Sequence, residues 1–375
     1  MTRAALLAMA LLLAGCGGAE VLDPPAPLPA DEGVAPLVPR WRLPLAGAVE
    51  GLRPRPAVAG DRVLAMAPAG EVVAAGLEDG RVHWRAAAGT GLTAGVGVGE
   101  GLAVAAGGEG EVLAFALEDG RLRWRVTVEG EVLAPPTVAG GRVFLRTAEG
   151  RLLALDAADG RRLWVQEQAV PALSLRGTAR AVPSDGAVVT GWADGRVSAH
   201  RVADGAPLWV VRLATPRGTT EPARMVDVDA DPVVADGQVY AAAYQGRIGA
   251  IAAGGGVLLW ARDLSVWSGI AVAGEAVVAS AADGVVWALE RAGGRALWRQ
   301  EALRNRRLSG PVLHAGLLWV GDLEGWVHAL DPADGALRGR VRAGEGQVLA
   351  LVATTAGLLV RHAEGLTLLA APRGG

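Results

Sequence analysis

The chain has 375 residues, 51% of them hydrophobic and 54 of them glycine, with a formal net charge of −3. That near-neutral balance, without a basic stripe carrying interleaved aromatics, excludes an electrostatic nucleic-acid binder. No apolar run reaches the roughly eighteen residues a spanning helix needs. The length would allow two or three domains, but an internal repeat makes most of the chain a single body.

In chain order, residues 1–15 read as an export signal. Arg3 supplies the positive start, Ala4 to Leu13 the apolar core, and small residues follow. Leu13-Ala14-Gly15-Cys16 resembles a bacterial lipobox, with cleavage before Cys16, the only cysteine of the chain. Such a cysteine carries a diacylglycerol and an N-acyl chain, and two or more chains at about 0.8 kcal/mol per buried methylene make a lasting anchor. Gly17, where an Asp would retain the protein at the inner membrane, favours passage to the outer membrane of a two-membrane bacterium. Residues 16–38 then form a lipidated cysteine and a Pro-rich tether around Pro24-Pro25-Ala26-Pro27-Leu28-Pro29. Extended at roughly 3.1 Å per residue, this tether would hold the body on the order of 70 Å from the membrane. No cysteine remains for a disulfide.

From residue 39 to 371 one cadence repeats. Gly70, Gly110, Gly150, Gly195, Gly246, Gly284, Gly325 and Gly365 each open an alternating apolar stretch. An Asp-Gly or Gly-Gly turn and a tryptophan follow: Asp79-Gly80…Trp84, Asp119-Gly120…Trp124, Asp159-Gly160…Trp164, Asp204-Gly205…Trp209, Gly255-Gly256…Trp260 and Gly293-Gly294…Trp298. The pattern decays at Asp334-Gly335…Gly339. A period near 40 built of strand-type units specifies a β-propeller, one four-stranded antiparallel sheet per period. Asp-Gly supplies the positive φ values of a tight hairpin, and the tryptophan at constant offset is a wedge between neighbours. Pro39-Arg40-Trp41-Arg42-Leu43 is a last strand without its unit, and Gly365 to Leu369 a third strand without a fourth. Joined, they complete one blade and close an eight-bladed, all-β ring, removing the exposed edges that an open array would leave for aggregation.

No reaction centre stands out. His83, His200, His314, His328 and His362 are scattered and in no metal-ligand spacing; His200 and His328 fall in repeat strands, as packed or edge residues. Asp227-Val228-Asp229-Ala230-Asp231 lacks the glycine and terminal glutamate of a calcium loop, and Pro232 follows directly. Neither a metal nor a cofactor is expected. The repeats resemble those of pyrroloquinoline-quinone dehydrogenases, which hold their quinone with a vicinal cysteine pair and a calcium site; a single cysteine cannot form that pair. A quinoprotein oxidoreductase and a ligand-binding sensor propeller are the rival readings.

The repeat is broken in two successive inter-blade connections, roughly 166–180 and 212–231, which emerge on one face. Insertions in a repeat map to loops that often bind. The first carries Leu173-Ser174-Leu175-Arg176-Gly177, the second Met225-Val226-Asp227-Val228-Asp229. The leucines and arginine suit a partner-binding patch. They equally suit a core cap, with Asp227 and Asp229 as turn residues and Arg176 satisfied by either aspartate.

These loop motifs, with Pro216-Arg217-Gly218, Tyr244-Gln245-Gly246-Arg247, Ala261 to Ser265 and Gly321 to Gly325, resemble the BamB family, the lipoprotein subunit of the outer-membrane β-barrel assembly machinery. The resemblance runs over about residues 39–371 plus the lipobox. It implies an eight-bladed propeller without catalysis, on the periplasmic face of the outer membrane. It also implies docking on a periplasmic POTRA domain of BamA through Leu173, Leu175, Arg176, Asp227 and Asp229, with unfolded outer-membrane proteins as further partners. The chain departs from the family in its worn last repeat and its Ala/Gly-rich early blades.

Overall fold

The computed structural model describes residues 23–30, 37–47, 51–52, 54–175 and 179–372. Cys16 and Arg176 lie outside the described residues. The strands form eight four-stranded antiparallel sheets. Seven are consecutive in sequence: blades I (57–87), II (97–127), III (137–167), IV (182–212), V (233–263), VI (266–300) and VII (312–342). Blade VIII takes three strands from residues 348–370 and its outermost strand from Val38–Pro44, which pairs Trp41 with Leu368 and Pro44 with Gly365. The ring therefore closes at eight through the N-terminal strand, as the termini predicted. First strands of successive blades lie side by side around the centre, and the core is a series of apolar clusters between blades.

The turn before each tryptophan differs from a two-residue hairpin with both residues at positive φ. Gly80 has φ 67° but Asp79 does not share that region. Instead the Asp79 carboxylate accepts the Arg81 N–H at 3.0 Å, while the Gly76 N–H reaches the Arg81 carbonyl at 2.8 Å. A four-residue loop results, with a bulge between Ala74 and Ala75. Asp acts as a side-chain cap and only Gly needs the left-handed backbone.

That glycine has a second duty. A β-carbon at Gly80, Gly120, Gly160, Gly205, Gly256, Gly294 or Gly335 would come closer than 3.0 Å to the ring of Trp41, Trp84, Trp124, Trp164, Trp209, Trp260 or Trp298, respectively. In every case the tryptophan belongs to the preceding blade, and its indole N–H donates at 2.7–3.1 Å to a carbonyl of the same turn region: Leu77, Leu117, Ala157, Val202, Ala253, Arg291 and Pro332. The wedge is thus a ring on a glycine, fixed by one hydrogen bond. Gly339 holds the equivalent place in blade VII, opposite Ala329. The turn it would reach does not exist, because blade VIII is interrupted there by the two termini. Leu37, 4% exposed, packs instead into the cluster with Trp319, Ala329 and Leu369.

The tether also differs from a free spacer. Ala26 donates its N–H to the Arg304 carbonyl at 2.9 Å, so residues 24–29 lie against the disc rather than standing away from it.

Candidate partner-docking face

Strands within a blade alternate in direction, so all connections from one blade's outermost strand to the next blade's innermost strand emerge on the same face. The two enlarged connections, 168–181 and 213–232, are adjacent members of this set, and the second contains a short 3-10 turn, Pro222–Arg224. They are joined to one another. The Asp227 carboxylate accepts the Leu175 N–H at 3.1 Å, and the Asp231 carboxylate accepts the Arg180 N–H at 2.8 Å. Val226 and Val228, both 1% exposed, anchor the second connection in the core between blades IV and V. Alternation along 226–229 therefore sends the valines inward.

Among the predicted residues, Leu173 is exposed, Leu175 and Asp229 are half-buried and Asp227 is fully buried. Burial, reinforced by the neighbouring Asp229 charge, raises the Asp227 carboxyl to about 7, against the Leu175 hydrogen bond and the Arg146 charge, which lower it. Arg146 was not expected here. It ends an inner strand of blade III, is 4% exposed, and stacks its guanidinium 4.1 Å from the centre of the Trp192 ring. Burial brings it down to about 10, although Asp229, Asp194 and Asp227 all favour its charge. Trp192 is fixed through Ser198 Oγ at 2.6 Å, which meets His200 Nε2 at 2.9 Å. Beneath the two loops lies a buried layer of Arg146, Trp192 and Asp227. One signal for it was available: the equivalent pairing positions in blades I and II are Met66 and Ala106, so a charge there is out of pattern.

The centre of this face is spanned by charge. Arg55, before blade I, pairs with Asp231, before the diametrically opposite blade V, at 2.7 Å. Arg180 approaches the same carboxylate at 3.7 Å. The cavity beside them, about 240 Å³, is lined by Arg55, Arg180, Asp229, Asp231 and Trp267. Among the described residues no group of three or more His, Cys, Asp or Glu converges as metal ligands.

Comparison with known proteins gives this geometry a lineage. A family profile described as outer membrane protein assembly factor BamB matches residues 68–300 and 282–372. The chain is 41% identical over 343 residues to the outer membrane protein assembly factor BamB of Pseudomonas aeruginosa, covering 91% of this chain and 90% of that relative. It is 34% identical over 204 residues to the Bordetella pertussis protein of the same name, where the match spans 54% of this chain and only 53% of the relative. The crystal structure of BamB from Moraxella catarrhalis superposes with a TM-score of 0.82 at 29% identity, covering 89% of this chain and 99% of that one. A quinohemoprotein alcohol dehydrogenase from Comamonas testosteroni, with a TM-score of 0.72, 13% identity and coverage of 90% and 78%, shares the fold alone. With a profile over nearly the whole ring and a relative matched over about nine tenths of both chains, the chain belongs to the BamB family.

Proposed function

We propose that the protein is a non-enzymatic scaffold of the outer-membrane β-barrel assembly machinery. Lipidated Cys16 holds it to the periplasmic face of the outer membrane, and its loop face docks on a periplasmic POTRA domain of BamA to aid insertion of outer-membrane proteins. The observation that carries this reading is the stitching of two enlarged connections into one patch, with Leu173 exposed and Leu175 beside it. In this reading Leu173, Leu175 and Arg176 touch the partner. Asp227 and Asp229 act from below, Asp227 by holding the Leu175 backbone. The quinoprotein alternative is disfavoured by the lone Cys16 and by the Arg55–Asp231 pair across the channel mouth.

Crosslinked pull-down from membranes tests the partner. The chain contains no lysine, so the crosslinker must be photoreactive or carboxylate-directed. Arg176→Glu or Leu175→Asp is expected to weaken BamA capture by ~100-fold or more, the scale of losing a buried charged or apolar anchor, with the melting temperature nearly unchanged. If Arg176 is instead an internal staple to Asp227 or Asp229, stability falls while affinity of the folded fraction persists, and Arg176→Glu with Asp229→Arg restores it. That outcome would remove the docking assignment.

A further inference from the structure

The Pro-rich segment ahead of the ring is received by a built site. Arg306 lies in the connection 301–311 between blades VI and VII and is 3% exposed. Its guanidinium is held from within: Nε donates to the Asp322 carboxylate at 2.8 Å, and Nη2 pairs with Glu324. Asp322, fully buried, is itself fixed by the backbone N–H groups of Glu324 and Trp326 at 2.9 and 3.0 Å and by His328 Nε2 at 3.0 Å. The remaining edge of the guanidinium, Nη1, donates to the Ala26 carbonyl at 2.8 Å. Asn305, held at φ 59°, donates from its side chain to the Pro24 carbonyl at 3.4 Å. Further along, Arg340 donates to the Pro29 carbonyl while lying 5.1 Å from the Trp326 ring. A Pro-rich strand has carbonyls without internal partners, and donors of blade VII and its leading connection take three of them.

We propose that residues 24–29 are a docked strap that fixes which face and which rim of the disc is turned toward the membrane; the membrane half of this rests on the lipidation of Cys16. The strap meets the disc at the 301–311 connection, on the same face as connections 168–181 and 213–232 and two to three blade positions round from them. Only the chain from Cys16 to Pro24 then separates bilayer and ring, about 25 Å at roughly 3.1 Å per residue, instead of the 70 Å of a free tether. The docking loops are thereby held on the membrane-proximal side.

Hydrogen exchange and neutron reflectometry on the full lipidated chain, on a supported bilayer of phosphatidylethanolamine and phosphatidylglycerol, test both halves. The Ala26 amide is expected to exchange at least tenfold more slowly than in a free peptide, with ring density beginning within about 25 Å of the headgroups. Replacing residues 24–29 by Gly and Ser at equal length leaves Arg306 and its partners in place. It should abolish the protection and move the density outward. Arg340→Gln, further from the buried carboxylates, should loosen the strap partway. Free-peptide exchange at Ala26, or an unchanged density profile in the Gly/Ser chain, overturns the proposal. A protein that never stays on the bilayer yet keeps Ala26 protected removes the lipid reading and the orientation with it, while the docked strap stands.

Discussion

Seven joints of the ring and the eighth solve the same problem with different parts. In the seven, a tryptophan of one blade rests on the turn glycine of the next and donates to a carbonyl of that turn region. At the joint between blades VII and VIII the receiving turn is absent, and Gly339 and Leu37 occupy the region. A large aromatic is useful only where a shaped partner exists. Where the chain ends interrupt the hairpin, the wedge has nothing to rest on, and the loss of Trp at 339 is a consequence of closure rather than decay.

The contrast can be attacked at its strongest point first. Trp124→Ala should destabilise the ring by about 3–5 kcal/mol, the range for emptying a large aromatic site, read as a shift of the urea midpoint at constant slope. Trp164→Ala should behave alike. A mutant that melts like the parent but loses a ligand would turn these residues into a binding platform.

Acid should separate the joints next. His362, in blade VIII, is 4% exposed; burial, with Arg361 and Arg42 nearby, depresses it to about 4. Its folded value lies below the unfolded one, so the neutral ring contributes stability that is complete above about 6.5 and lost as pH falls toward 4. By linkage this amounts to as much as ~3 kcal/mol. Blade VIII should therefore lose exchange protection before blades I–III on acidification, and His362→Gln should flatten the slope between pH 6.5 and 4. Equal loss in all blades would show that the closing blade is no softer than the rest.

Leu37→Ala should cost less, about 2–3 kcal/mol, at the low end for a buried leucine. Restoring the repeat by Gly339→Trp should not compensate. Gly339 sits at φ 130°, where a side chain is strained by about 1–3 kcal/mol, and no turn receives the ring. A stabilised Gly339→Trp protein would refute the account of the eighth joint.

Repetition made the fold legible. Eight glycine-led stretches with turns at fixed offset dictate blades, and Trp41 and Gly365 dictate how they close. The turn chemistry was legible only in kind: one residue at positive φ suffices because Asp79 caps the loop with its side chain. The loop residues were visible as breaks in the period, but not the layer beneath them, since the contact of Arg146 with Trp192 joins blades III and IV at positions no local pattern links. The strap was least legible. Proline-rich composition says that carbonyls are free, and only the folded ring shows Arg306 and Arg340 waiting for them.

The pairing of Val38–Pro44 with the last strand has a temporal side. The first strand of the ring to leave the ribosome is the last to find its neighbour, because Trp41 must wait for Leu368. Bringing such distant segments together in an unfolded chain costs about 5 kcal/mol of closure entropy. Once blades I–VII have stacked, however, the remaining gap is one blade wide and most of that cost has already been met. Assembly is therefore expected to proceed as a growing arc that the two ends seal together, and a stalled or truncated chain would present an open arc with the bare apolar faces of its end blades to quality-control proteases.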